Sequence, residues 1–505
     1  MKTHSAPPKT QEIELKLTLP TADPAGLAQR LARTPVLARR TPKQQFLHNI
    51  YFDTPDQNLR QQRIALRLRR VDGGAEPLWL QTLKTGGSSN SALSQRGEWE
   101  TPVATPVLSL RDLKATPWSD FDPDGSVFKA LQPCFVTDFE RTSWRVKKRD
   151  GSEVEVALDI GQIKAGEQRT PICELELELI SGQPAALFDL ARQIARSIAV
   201  LPSGMSKAER GFSLAQGKLN GPIHAQLQKL NPDGSFTATA QCVLNDAFCQ
   251  FTANLNALCH SNDPEVVHQA RVGWRRFKSA RRLFRPVLLP ASQPTWEALN
   301  PLLTCLGELR DLDVALTDTL PPLASAFIDG DADREPAWHT MTAALRQAAD
   351  LQRKAVRSAL QAPLVGACLL ATTQWLEELS ASSSTQNAPL EPHDSLRHWT
   401  QRRILRLHVQ LQVALKAANS SEGQHRVRLL AKRLRYGIEA MHTLVPKRIA
   451  QQLHRESTSL QVDIGNTRDI TQAAKLVAQL DVDRGLAEFL RGIASCQTMQ
   501  ITKSN

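Results

Sequence analysis

The sequence predicts an α+β multidomain protein: an N-terminal β-barrel of eight strands, then an all-α half of about ten helices built as two bundles. Three observations predict it. From residue 12 to about residue 180, apolar and polar side chains alternate with period two in short runs broken by turn residues. After residue 239 that period vanishes and Leu and Ala recur at helical spacing. Between the two regimes, residues 217–234 are rich in Gly, Pro and Asn and read as a linker. At 505 residues the chain is also too long for a single core. The expected boundaries are 11–216 for the barrel, 217–239 for the linker and 240–496 for the helices.

The expected strands are 12–17, 46–52, 63–70, 78–84, 95–101, 139–147, 153–160 and 173–180, with helices at 24–32 and 185–198. Eight mainly consecutive strands favour closure, because a closed barrel has no exposed edge. The parity of the charges is the informative part. In Glu12-Ile13-Glu14-Leu15-Lys16 the three ionisable residues share one face of a strand. Glu174, Glu176 and Glu178 repeat that period in Glu174-Leu175-Glu176-Leu177-Glu178. Arg67 and Arg69 share a face, as do Thr82 and Lys84, then Arg96, Glu98 and Glu100, then Arg141 and Arg145, then Glu155 and Asp159.

A charged face on one amphipathic strand is ordinarily solvated. Agreement across most of the strands points instead to a charged tunnel holding both carboxylates and cations. So many buried charges require neutralisation. The chemistry such an interior suits is phosphoryl transfer. Arginine holds phosphate oxygens in a bidentate fork and lysine holds them as a point charge. Carboxylates hold Mg²⁺ or Mn²⁺ through oxygen, and the metal polarises an attacking water.

Glu12-x-Glu14-x-Lys16 resembles the ExExK signature of the CYTH family, the triphosphate tunnel metalloenzymes. The resemblance runs over roughly residues 11–215 and includes Tyr51-Phe52-Asp53-Thr54-Pro55, Ala65-Leu66-Arg67-Leu68-Arg69, Thr82-Leu83-Lys84 and Arg96-Gly97-Glu98-Trp99-Glu100. It continues through Leu158-Asp159-Ile160-Gly161 and Cys173 to Glu178, and closes on Ser206-Lys207-Ala208-Glu209-Arg210-Gly211. It implies an eight-stranded antiparallel tunnel that hydrolyses or cyclises triphosphates with Mg²⁺ or Mn²⁺. Glu12, Glu14, Glu174, Glu176 and Glu178 fall on its metal-binding positions, with Glu98, Glu100 and Asp159 as further contributors. Lys16, Arg67, Arg69, Lys84, Arg96, Arg141 and Arg145 would cradle the triphosphate, with Lys207 and Arg210 near the tunnel end.

In the second half, helical spacing predicts segments at 240–260, 264–284, 294–317, 338–360, 365–379, 395–418, 422–444, 449–462 and 467–480, with a polar break at 380–392. The break divides a repeat. The run from His268 through Arg271, Arg275 and Arg276 to Lys278 aligns without a gap to the run from His425 through Arg428, Lys432 and Arg433 to Arg435. Downstream, Gly307-Glu308-Leu309-Arg310-Asp311 is echoed by Gly465-Asn466-Thr467-Arg468-Asp469. Positions i, i+3, i+7 and i+10 make one helical stripe, so each run presents a His followed by three cations. Arg281, Arg282 and Arg285 extend the first, and no acidic residue interrupts 271–285.

A single basic helix is ordinarily a solvated face; a duplicated stripe with His at each start asks for more. The pattern resembles the CHAD domain, the conserved histidine α-helical domain, over roughly 240–495. That resemblance implies two related four-helix bundles whose stripes face a shared basic cavity binding inorganic polyphosphate. His268, Arg271, Arg275, Arg276, Lys278, Arg282, His425, Arg428, Lys432, Arg433 and Arg435 would be its ligands. The histidines would add charge as pH falls towards about 6.

Composition agrees with a polyanion partner. Net charge is +11, with pI ≈ 9.4 and mean hydropathy −0.32. With 15 Phe, 9 Trp and 2 Tyr, base-stacking platforms are expected to be sparse, which disfavours nucleic acid. The eight cysteines show no metal-ligand spacing and read as reduced thiols. The polar start of the chain and the short apolar run near 364–371 predict no membrane span and a cytoplasmic protein, with granule association as an extension. The leading expectation is a metal-dependent inorganic triphosphatase, cleaving tripolyphosphate to pyrophosphate and phosphate, joined to a polyphosphate-binding module. The alternatives are adenylyl cyclisation, nucleoside or thiamine triphosphate hydrolysis on the same tunnel, or a non-catalytic polyphosphate-granule protein.

Overall fold

A computed structural model describes residues 11–504 except 22, 73–76, 88–90, 289–292, 330, 332, 382–394, 419 and 481–483. The residues before 11 and most of the polar break expected at 380–392 therefore lie outside the described residues. Contacts divide the chain into two compact units. The first is Met1–Gly221 with Leu255–His260 and Leu360–Gln374; the second is Pro222–Asn254, Ser261–Ala359 and Trp375–Asn505. No disulfide joins cysteines among the described residues. No single described helix is long and apolar enough to cross a membrane.

The first unit is built on a curled antiparallel sheet. Its strands are β1 (Glu12–Thr18), β2 (Lys43–Asp53), β3 (Ala65–Asp72), β4 (Leu78–Lys84), β5 (Leu93–Arg96), β6 (Glu98–Val103), β7 (Gln132–Lys147), β8 (Glu153–Ala165), β9 (Gln168–Ser181) and β10 (Leu201–Pro202). The order β10-β1-β9-β8-β7-β2-β3-β4-β6 runs across the sheet, and β5 pairs with β1. β6 pairs with β4 while β5, one residue away across Gly97, pairs with β1, so the hydrogen-bonded ladder returns to its first strand. Eight strands were expected; ten are found among the described residues because Gly97 splits one and the two-residue β10 adds to β1.

The period-two pattern turns this sheet inside out. Leu15, Leu17, Val154, Val156, Leu158, Leu175, Leu177 and Leu179 point outward and form a core with α1 (Leu27–Ala32) and α2 (Ala185–Ile194). Each fully buried leucine contributes roughly 1.5–3 kcal/mol. A second outer core joins Leu66 and Leu83 to Leu59, Leu113 and Trp118. Helix α3 (Lys207–Ala215) packs Ala208, Phe212 and Leu214 on Phe135 and Phe139 of β7. Its start is fixed by a capping box in which Ser206 and Glu209 satisfy each other's backbone N–H groups. Gly211 lets α3 approach this closely: a Cβ there would meet the Phe135 ring at 2.1 Å.

The second unit is all-helical among the described residues. It holds α4 (Phe236–Leu258), α5 (Pro264–Leu283), α6 (Asn300–Val314), α7 (Arg334–Leu360), α8 (Pro363–Ala381), α9 (Leu396–Lys416), α10 (Ser421–Ala440), α11 (Lys447–Ala478) and α12 (Arg484–Ser504). The first turns of α8 and the last of α4 count with the first unit, where Leu370 joins the outer core. Two helices expected at 449–462 and 467–480 are one, since nothing between them removes a backbone hydrogen bond. The segment expected at 294–317 opens with a 3₁₀ turn (Glu297–Leu299) and closes with a π turn (Ala315–Thr319) around α6.

Candidate active site and basic helical cluster

Because the leucines and valines of β1, β8 and β9 face outward, the charged residues between them face the enclosed space. They line a cavity of about 400 Å³. Seven carboxylates (Glu12, Glu14, Glu98, Glu100, Glu155, Glu176 and Glu178) and seven cations (Lys16, Arg67, Arg69, Lys84, Arg96, Arg141 and Lys207) lie on its wall. Register sets them against each other. Glu12 stands opposite Arg96, Lys84 opposite Glu98, Lys16 opposite Glu176, and Arg141 opposite Asp159. The expectation that buried charges need neutralising is met first from within the wall.

At one end, Arg96 donates through Nε to Glu12 at 2.9 Å and through Nη2 to Glu14. Lys84 Nζ reaches both Glu12, at 2.9 Å, and Glu98, at 3.0 Å. Burial alone would raise the Glu12 carboxyl; Lys84 and Arg96 outweigh it and hold the group below its ordinary value. Glu14 is depressed in the same way by Lys16 and Arg96 against burial, and Glu98 by Lys84 and Arg67 against burial.

At the other end, Arg141 forks onto Asp159 with two bonds of 2.7 Å and also reaches Glu176. Lys207 Nζ, at the first turn of α3, lies 2.6 Å from Asp159, 2.5 Å from Glu174 and 2.9 Å from Glu176. Burial disfavours its charge, but these three carboxylates keep the ammonium protonated well above the usual lysine range. Glu176 is held far below the carboxylate range, with Lys207, Arg141 and Lys16 overcoming burial.

Asp159, Glu174 and Glu176 each offer an oxygen, all within 4.8 Å of one another. Three hard oxygen donors at that spacing fit a divalent cation such as Mg²⁺ or Mn²⁺. Such an ion would replace the Lys207 ammonium as their counter-charge. Glu12, Glu14, Glu98 and Glu100 engage Lys84, Arg96, Arg67, Arg69 and Thr82 and converge on no comparable spacing among the described residues. Glu178 lies on the wall opposite Glu14 and Glu155.

The cations of β3 are less well matched. Arg67 is 3.7 Å from Glu98 and donates to the Tyr51 hydroxyl at 3.3 Å. Arg69 donates to Asn49 at 2.9 Å, and its nearest carboxylate, Glu100, is 3.9 Å away. Burial, with Arg67 and Arg141 beside it, pushes Arg69 down to about 10. This guanidinium has the least compensated charge on the wall and would be stabilised by an incoming anion.

Two expected ligands stand elsewhere. Arg145 shares the parity of Arg141 but lies four residues further along β7, where its side chain is 66 % exposed and pairs with Glu153 at 3.5 Å. Parity gives a face, not a depth. Arg210 is turned behind the wall, donating to Glu174 at 3.0 Å and to the Pro171 carbonyl, so it positions that carboxylate. Gln45 and Asn49 join the site without having been singled out, beside Tyr51 and Thr82 of the quoted motifs; each shares the parity of the charged residues around it.

In the helical unit, α5 and α10 pack together and bring the two stripes face to face. Lys432 is pushed down to about 7 by burial and by Arg428, Arg275, Arg468 and Arg435. His268 is pushed down to about 4 by burial and Arg310, with Arg275 and Arg271 adding to it against Glu265. That corrects the expectation of a histidine gaining charge near pH 6: among these guanidiniums His268 stays neutral there. Arg310 and Arg468 enter the cluster from matched positions of the repeat, each followed by an aspartate. Arg468 lies 3.9 Å from Asp311, a link between the two repeats. Gly307 leaves room for this, since a Cβ there would stand 3.1 Å from Nη1 of Arg271.

Arg435 pairs with Glu439 at 3.5 Å, Arg433 and Arg282 influence each other at the flank, and His425 and Lys278 are exposed. Arg276 does not belong to this face. It is buried, with 2.7 Å to Asp246 and 2.6 Å to Gln250, because one residue beyond Arg275 the helix turns toward α4.

Comparison with known proteins gives two family matches and several similar proteins. The CYTH domain matches residues 10–212 and the CHAD domain matches residues 242–478. An inorganic triphosphatase of Haemophilus influenzae is 38% identical over 211 residues, which are 40% of this chain and 55% of that protein. The chain thus spans about half the length of that relative. Among solved structures, the CHAD domain from the plant Ricinus communis is 27% identical, covering 55% of this chain and 92% of that one at a TM-score of 0.46. A Hippeastrum adenylyl cyclase candidate described as having a dominant triphosphatase activity is 19% identical, covering 41% and 97% at a TM-score of 0.27. The chain therefore belongs to the proteins that join a CYTH domain to a C-terminal CHAD domain.

Proposed function

We propose that the first unit is a metal-dependent inorganic triphosphatase, hydrolysing tripolyphosphate to pyrophosphate and phosphate, and that the second binds inorganic polyphosphate. The observation that carries the first part is a three-carboxylate cluster that reaches the cavity through Glu176, with the undercompensated Arg69 on the same cavity wall. Arg67, Arg69, Arg141 and Lys16 supply donors along the wall for a chain of phosphates. Asp159, Glu174 and Glu176 would hold a divalent cation, which would supply Lewis-acid polarisation of a phosphoryl oxygen. The chain's own residues orient the anion and screen its repulsion as the attacking water approaches. The relative from Haemophilus influenzae supports the same chemistry.

The cavity wall carries one tyrosine and no other aromatic side chain among the residues that line it, so a base has little to stack on. That favours tripolyphosphate over nucleoside triphosphates. The test is a substrate panel on purified protein with Mg²⁺ and with Mn²⁺: tripolyphosphate, ATP and thiamine triphosphate, with cyclic AMP assayed separately. Tripolyphosphate is expected to turn over fastest, without cyclic AMP. Faster turnover of ATP, or accumulation of cyclic AMP, would displace the reading in favour of a nucleotide enzyme.

For the second unit, the mutual repulsion of Arg271, Arg275, Arg428, Lys432 and Arg468 is what a linear polyanion would relieve. A long polyphosphate supplies closely spaced charges with no base to be read, matching a face where cations outnumber the neighbouring Asp311, Glu439 and Asp469. Its binding is expected to weaken steeply with salt.

A further inference from the structure

Aromatic residues are 5% of the chain, yet Trp274, Phe277, Trp296 and Trp375 gather at one place in the helical unit. Trp274 and Phe277 stack with centroids 5.4 Å apart and planes 19° apart. Trp296 stands edge-on to Phe277 at 5.8 Å, and Trp375 edge-on to Trp296 at 6.2 Å. Beside the first three opens a cavity of about 250 Å³, whose other walls include Lys278, Arg281, Glu297 and Asn300. An apolar core would close over such a space; this one is bordered by charge.

Two cations stand over its rings. Lys278 Nζ is 5.9 Å from the Trp274 centroid and Arg281 Cζ is 4.8 Å from that of Trp296. Trp274 is only 6% exposed, and its indole Nε1–H meets no acceptor. A buried donor left unmade carries a penalty that an incoming acceptor would remove.

We infer that this cavity is a binding site for a nucleoside phosphate, with the base against the Trp274, Phe277 and Trp296 rings and the phosphate at Lys278 and Arg281. Each wall matches one part of that ligand. A base offers a flat π face for stacking and ring nitrogens or carbonyls that accept from an N–H. Glu297 and Asn300 can meet its exocyclic edge, one as acceptor and the other as both donor and acceptor. Inorganic polyphosphate uses none of the aromatic surface, and an uncharged ring uses neither cation. The site adjoins the basic stripe through Lys278, so a nucleotide there would meet polyphosphate at that end alone. It stands apart from whatever the tunnel hydrolyses.

Photolabelling of the full chain with 8-azido-ATP in EDTA, followed by peptide mapping, tests this. Label is expected on peptides carrying Trp274 or Trp296. AMP should displace it, and an equal concentration of tripolyphosphate should leave most of it in place. Trp296→Leu should lower the label at those peptides about ten-fold with the far-ultraviolet circular dichroism retained. If that variant fails to fold, the double substitution Lys278→Gln with Arg281→Gln serves, weakening AMP as a competitor while adenosine competes as before. Label confined to the tunnel peptides, equal displacement by tripolyphosphate, no displacement by AMP, or undiminished label in the folded variant would each overturn the inference.

Discussion

Lys207 shows what a single side chain does in the tunnel. Its ammonium serves three buried carboxylates at once, all within 2.9 Å. Removing one partner from a buried ion cluster leaves uncompensated charge and costs about 3–5 kcal/mol. Lys207→Met is therefore expected to lower the melting temperature markedly. Because the stranded carboxylates lie at metal-ligand spacing, millimolar Mn²⁺ should restore more stability to the variant than it adds to the parent protein. Equal effects of Mn²⁺ on both proteins would mean that the three carboxylates do not hold the ion. Gly211 is a second single-residue test. Gly211→Ala places a methyl 2.1 Å from a Phe135 ring atom. Overpacking of this kind costs typically 1–3 kcal/mol, readable as a lower urea midpoint, and an unchanged midpoint would show that α3 shifts freely. At this scale the sequence was partly legible. Glu12, Glu14, Lys16, Arg67, Arg69 and Glu176 lie where period two predicts, but Arg145 and Arg276 do not serve as expected. Alternation tells which face a residue takes, not how far along the strand the cavity reaches. Helical spacing likewise leaves adjacent positions such as Arg275 and Arg276 to be separated by packing partners.

Among the elements, β1, β6 and β9 carry carboxylates held below their ordinary value of 4.5: Glu12, Glu14, Glu98 and Glu176. Since the folded state binds these protons less readily than the unfolded one, their contribution is present above pH 4.5 and is lost as pH falls through the lower folded values. Thermal melts should thus show stability declining below pH 4.5, and Glu176→Gln should flatten the decline. On α10 the sign is opposite. Lys432 titrates at about 7 before any ligand arrives, because burial and the facing guanidiniums oppose its charge. A polyanion favours the protonated amine, so polyphosphate affinity is expected to fall several-fold between pH 6 and pH 8. Lys432→Met should remove that dependence while weakening binding at pH 6. A pH-independent affinity in the parent protein would place Lys432 outside the contact. The elements themselves were largely readable from period two and period 3.6. What escaped was the split at Gly97 and the continuity of α11. Gly97 sits inside an otherwise regular run of alternation, and Gly465 lies where a helix break was expected, yet a glycine removes no backbone hydrogen bond by itself.

Across the whole molecule, two units of different architecture handle charge differently: the tunnel wall sets seven cations against seven carboxylates, while the helical stripes gather cations beyond what nearby carboxylates balance. The net charge of +11 is a coarse sign of the second; the matched helical stripes are the finer one. If the helical unit holds polyphosphate through several phosphates, raising salt from 50 to 200 mM should cost it orders of magnitude in affinity. Salt-insensitive binding would argue against that mode. The repeat behind this surface was legible from the matched His-Arg-Lys runs. The cluster of Trp274, Phe277 and Trp296 was not, because a low aromatic count says nothing about where those residues meet. A triphosphatase tunnel would grip phosphate through Arg69, the least compensated cation on its wall. The most direct measurement is phosphate release from tripolyphosphate by the intact chain with Mg²⁺ or Mn²⁺, beside Arg69→Ala and an EDTA control. One phosphate and one pyrophosphate per substrate are expected, abolished by EDTA and lowered about 10²–10³-fold in the variant. No release from the parent protein, or undiminished turnover in both controls, would contradict it.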